Sequence, residues 1–137
     1  MRPSLARLAS VAVAPLLLLG ASALHAHRRW QPIGTTNVGN PVEIDTRGLK
    51  RANGIITATL RTKFVKPAKV PGGVVSVSHT IISVDCAKHL VAIPDNIYYI
   101  DEAKNVVYQR STAKIPGFSP PMGGSAPEVG VTFLCKR

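Results

Sequence analysis

Acid is scarce in this chain: seven Asp and Glu stand against seventeen Lys and Arg in 137 residues, and none of the acids lies between Thr46 and Val84. Chemistry run on two carboxylates needs them facing each other across a cleft. The adjacent pair Asp101-Glu102 reads as a solvated turn instead. Aromatic residues are few as well, with one Trp, three Tyr and three Phe, and they do not interleave with the basic residues. Stacking on single-stranded nucleic acid is therefore unsupported, and no nucleic-acid partner is expected. Catalytic signatures are missing too. There is no His-Glu-x-x-His, no Cys-x-x-Cys, no phosphate-cradling glycine loop and no Gly-x-Ser-x-Gly,. Ser78-His79 are neighbours on an expected strand and point to opposite faces, so they cannot readily share a proton. A joint metal or haem site on His79 and His89 would need two strands to bring them together, which spacing alone does not support. No catalytic residue, metal or cofactor is expected, and the chain is read as a non-enzyme.

Cysteine is limited to Cys86 and Cys135. The first is too far along the chain to carry an N-terminal lipid, so lipid anchoring is not expected. Long apolar runs are limited to one, at the N-terminus. Arg2 and Arg7 precede an apolar stretch from Leu8 to Gly20, broken only by Ser10, and small residues follow through Ala26. Positive, apolar, small is the order of a secretory signal peptide. Cleavage after Ala23 or after Ala26 fits, with Ala26 preferred. An uncleaved anchor is the alternative, but the run is short for a span and contains Pro15. The expected division is a signal peptide over residues 1–26 and one exported domain over residues 27–137, without a later transmembrane segment.

In an exported domain an even cysteine count favours a disulfide. Two buried free thiols are the alternative, and a zinc site is weaker still. Removing Arg2 and Arg7 leaves fifteen cations against seven acids, a net charge of +8. Arg47, Lys50, Arg51, Arg61, Lys63, Lys66 and Lys69 all fall in the acid-free stretch. They are the candidate binding face, suited outside the cytoplasm to polysaccharide, lipopolysaccharide, anionic lipid or an acidic protein. A plain solvated surface that keeps the domain soluble is the competing reading.

Gly and Pro cut the chain into short segments, as in a sheet joined by turns. Val42-Glu43-Ile44-Asp45-Thr46 alternates like a half-buried strand. Ile55–Lys66 is the clearest strand, with Ile56, Ala58, Leu60 and Phe64 on a core face and Thr57, Thr59, Arg61 and Lys63 on a basic, wet one. A linker over Pro67–Gly73 leads to a second long strand over Val74–Cys86. Leu90–Pro94 and Asn96–Ile100 form a strand broken near Pro94, and Val106–Arg110 returns from the turn at Asp101–Asn105. Ile115–Gly124 reads as a loop. Ser125-Ala126-Pro127-Glu128 has the form of a helix start. Val129, Val131, Phe133 and Cys135 alternate like a strand, but the start signal favours a short helix.

Trp30 with Ile33-Gly34, Val42–Thr46, Gly54 before a long strand, Val84-Asp85-Cys86, Tyr98-Tyr99 with Asp101, Asn105-Val106-Val107, Pro116-Gly117 and Cys135 follow one another as landmarks. In that order they resemble the bacterial surface-adhesin protein E-like family. The resemblance implies an α+β fold, a mainly antiparallel β-sheet of about six strands with a short C-terminal helix. It also implies a Cys86–Cys135 bridge tying helix to sheet, and a role in adhesion, since the family's namesake is an outer-membrane adhesin for host matrix proteins. The chain departs from the pattern in lacking an anchoring cysteine, and Arg61 and Phe64 stand where many relatives carry Trp. The leading expectation is an exported, periplasmic or surface-located binding domain. The alternative is a periplasmic envelope accessory protein without a host-binding role.

Overall fold

The computed structural model describes residues 28–136, so the expected signal peptide lies outside the described residues. Seven strands form one antiparallel sheet: β1 (Trp30–Thr35), β2 (Pro41–Asp45), β3 (Lys50–Ala52), β4 (Ile55–Val70), β5 (Gly73–Asp85), β6 (Leu90–Asp101) and β7 (Val106–Thr112). One helix follows, α1 (Ala126–Leu134). The order across the sheet is β1-β2-β4-β5-β6-β7. Strand β5 pairs along most of β4, so β2 and β3 share the other edge of β4, at Leu60–Thr62 and Ile55–Thr57.

The long hairpin grows from its turns. Asn53 and Gly54 both take positive φ, 52° and 77°, the backbone that closes a tight antiparallel turn between β3 and β4,. The expected linker over Pro67–Gly73 is shorter in the structure, because β4 continues through Pro67 and only Pro71-Gly72 turns. Pro67 lies where the β4–β5 register shifts, between Lys63 and Ala68, so its missing N–H removes no ladder bond there,. Pro94 is handled in the same way. It sits beside Ile93 in a bulge opposite Ile82, and β6 runs on as one strand,.

Two strands are additional to those expected. Strand β1 carries a register shift at Ile33, which breaks its alternation and turns Ile33 toward the core,. Strand β3 has three exposed residues and no apolar signal of its own.

The core lies between one face of the sheet and α1. Val42 and Ile44, Ala58 and Leu60, Ile82 and Val84 supply the sheet side, and Val131 and Leu134 the helix side, all buried. Ser125 caps the helix, its Oγ accepting from the Glu128 N–H at 3.3 Å, and Glu128 in turn accepts from the Gly124 N–H,. Gly130 explains how a weak helix former serves here. A Cβ at that position would stand 2.7 Å from Ile82 Cδ1 and 2.9 Å from Leu60 Cδ1, so only glycine lets the helix lie this close to the sheet. Cys135, at the C-cap, bonds to Cys86 at the end of β5, which confirms the disulfide. Among the described residues no helix is long and apolar enough to cross a membrane.

Candidate functional site

Strand alternation sends Glu43, Arg61 and His79 to the face of the sheet away from α1, and register places them side by side across β2, β4 and β5,. Arg61 donates from Nε to Glu43 at 2.6 Å. Glu102, from the β6–β7 turn, reaches over the same spot and accepts from Arg61 Nη1 at 3.4 Å and from His79 Nε2 at 2.7 Å. The Trp30 ring lies 4.7 Å from the Arg61 guanidinium and 5.0 Å from the His79 ring. Lys63 joins through Glu43 at 3.4 Å.

This network alters the setting of the candidate basic face. Arg61 and Lys63 are engaged by acid, and the Arg61 side chain is only 16% exposed rather than wet. Arg47, Lys50, Arg51, Lys66 and Lys69 make no ion pair among the described residues and stand exposed. They do not converge either. Lys50 pairs beside Thr57, while Lys66 and Lys69 lie at the far end of β4. At strand spacing the two groups are roughly 30 Å apart. The structure thus resolves the seven residues into two free clusters at opposite ends and a neutralised centre.

Two further acids are held ionised. Burial pushes the Asp45 carboxyl up, but the Arg29 hydrogen bond at 2.9 Å and the Arg47 and Gly48 N–H groups outweigh it, and its pKa falls below the ordinary value. The hydrogen bond from Arg110 holds the Asp95 pKa down against burial, helped by Thr112 Oγ1 at 3.1 Å.

The face that carries α1 has a different character beyond the helix. In phase with Leu60 and Ile82, the next inward positions are Thr62, Ser78 and Thr80, all buried and polar. With Asn96 they floor an open groove of about 720 Å³ between the β1–β2 turn and the loop that follows β7. Thr80 Oγ1 donates to Asn96 Oδ1 at 2.8 Å, whereas the Thr62 hydroxyl has no partner among the described residues. Phe64 and Tyr98 stack with centroids 6.3 Å apart and line one end of the groove. Val38, Ile93, Ile115 and Met122 form an exposed apolar rim. Sequence reading missed this groove. The signal was present, as Thr62, Ser78 and Thr80 stand at core-phase positions where an inward face continues polar.

Strand β7 ends the sheet, and all seven of its residues are exposed. Its apolar side chains Val106, Val107 and Tyr108 are each 42–43% exposed. An outer strand of this kind offers unpaired backbone donors and acceptors. Ser78 faces the groove and His79 the opposite face, while His89 sits in the β5–β6 turn. Among the described residues no three His, Cys, Asp or Glu side chains gather to hold a metal ion.

No family model and no curated protein sequence matches the chain. Solved structures do. A structure of Haemophilus influenzae protein E superposes with a TM-score of 0.54 at 12% identity, covering 79% of this chain and 84% of that one. Protein E from non-typeable Haemophilus influenzae gives 0.54 at 12% identity, covering 82% and 78%. The likeness is one of architecture at low identity, and on it the chain has a protein E-like fold, a mainly antiparallel sheet with a C-terminal helix.

Proposed function

We propose that this chain is an exported, non-catalytic binding domain of the adhesion type that takes a protein partner as an added strand along β7. The open, apolar edge of β7 carries the proposal, because strand addition needs an unpaired backbone edge and pockets for alternate side chains,. Protein E-like architecture and a disulfide, which suits an oxidising compartment, support the exported and adhesive parts of the reading,. The free cations at Arg47, Lys50 and Arg51 and at Lys66 and Lys69 would draw in an acidic partner or an anionic polymer from a distance, in a salt-dependent way.

Two measurements test this. The processed protein is expected to bind purified, immobilised host-matrix proteins, and Tyr108→Lys, a charge on the exposed edge, should weaken that binding about tenfold or more. On a heparin column Lys66→Ala with Lys69→Ala should lower the salt needed for elution, while Arg61→Ala with Lys63→Ala should change it little. Matrix binding that is absent, or that ignores the β7 charge, would sink the proposal.

A further inference from the structure

The groove beside α1 has no role in strand addition at β7, and its chemistry differs from the rest of the surface. Its lining contains no Lys, Arg, His, Asp or Glu, in a chain of net charge +10. Attraction of an anion is thus not what it is built for. Its floor is built from buried polar side chains: Thr62, Ser78 and Thr80 are 3%, 5% and 8% exposed. The Thr62 hydroxyl is left without a partner among the described residues. That oxygen is itself covered, so an occupant of the groove would meet the partly exposed Asn96, Phe64 and Tyr98 rather than it.

We infer that the groove is a binding site for a neutral oligosaccharide. Hydroxyl and carboxamide groups each offer donor and acceptor capacity, the same dual character as a sugar hydroxyl. Asn96 already accepts from Thr80 through Oδ1, which leaves its Nδ2 group free to donate. Phe64 and Tyr98 present apolar ring surface at one end, suited to the C–H face of a sugar ring,. The volume of about 720 Å³ falls within the range of small-ligand sites,. An extended peptide is a poorer fit. At Thr62, Ser78, Thr80 and Asn96 the backbone is already paired on both sides, so no free edge lies in the groove for a strand to join.

Amide chemical shifts of the isotope-labelled, disulfide-bonded protein provide the test. Chitotriose, maltotriose and cellotriose are the neutral probes, with a heparin tetrasaccharide and a proline-rich decapeptide for comparison. The expected result is saturable movement of the Thr62, Ser78, Thr80 and Asn96 amides with at least one neutral sugar and not with the heparin fragment. Phe64→Ala or Tyr98→Ala should weaken that sugar about five- to tenfold. The amide spectrum of each variant reports whether it is folded, and the mapping on the unaltered protein stands without them. No saturable shift with any neutral sugar overturns the inference. So do shifts confined to another part of the molecule, or movement of the floor amides by the peptide alone. None of these results bears on the β7 edge, so the two proposals fail separately.

Discussion

At the scale of single residues, scarcity of acid makes each carboxylate count. All seven Asp and Glu side chains are engaged: Glu43, Asp45, Asp95 and Glu102 by cationic side chains on the helix-free face, and Asp85, Asp101 and Glu128 by backbone N–H groups near turns and the helix start. Asp95 accepts from Arg110 and Thr112 while only 5% exposed. Its pKa in the folded protein lies below the ordinary carboxylate value. The stability it contributes is therefore complete above the unfolded value, about 4, and is lost as pH falls through the folded one. Urea midpoints measured from pH 7 downward should hold steady to about pH 4 and then drop. Asp95→Asn should lower the midpoint at pH 7 and make the acid drop shallower. A variant that loses nothing at pH 7 would show that the Arg110 pair is idle.

At the scale of elements, two glycines decide where the helix sits. Gly130 allows close contact over Leu60 and Ile82. Gly124 precedes the cap with φ +74°, and its carbonyl accepts from the Asn37 N–H at 2.9 Å, tying the helix start to the β1–β2 turn. A Cβ on Gly124 would come within 2.5 Å of Asn37 Cβ. Gly124→Ala thus combines left-handed strain with a clash and should cost about 2–4 kcal/mol in denaturant unfolding. A change below about 0.5 kcal/mol would mean the turn and the helix start are not coupled. The elements themselves were uneven in their legibility. Ile55–Lys66 could be read because its alternation is clean, and the helix because Ser125 and Glu128 have the spacing of a cap. Strand β1 could not, since its bulge at Ile33 breaks the alternation, and β3 could not, since Lys50, Arg51 and Ala52, all exposed, form a strand only because β4 is beside them. Pro67 and Pro94 suggested breaks that bulges absorb.

At the scale of the molecule, the Cys86–Cys135 bond closes a separation of 49 residues and joins the last turn of α1 to the sheet it covers. In the chain-entropy view a link across that length stabilises by roughly 4 kcal/mol. Reduction, or Cys86→Ser with Cys135→Ser, should lower the unfolding midpoint accordingly and expose the core under α1 to hydrogen exchange before the β4–β5 hairpin. Equal protection of helix and hairpin after reduction would show that the bridge does not hold the helix down.

Alternation along Ile55–Lys66, the cap at Ser125, the even pair of cysteines and the charge balance are local properties, and the amino-acid order alone determined them. Which residues act together was decided only when the chain folded. Arg61 is one cation among seven in the sequence, and it becomes half-buried and neutralised because register sets it between Glu43 and His79 and a distant turn brings Glu102 over it. Lys50 and Lys69 are 19 residues apart in one basic stretch, yet a long strand holds them at opposite ends of the sheet. Thr62, Ser78, Thr80 and Asn96 come from three strands and form one floor only where the helix stops short of covering them. The physical reason is that side-chain direction follows from position along a strand, whereas proximity follows from pairing, and pairing is a property of the whole sheet.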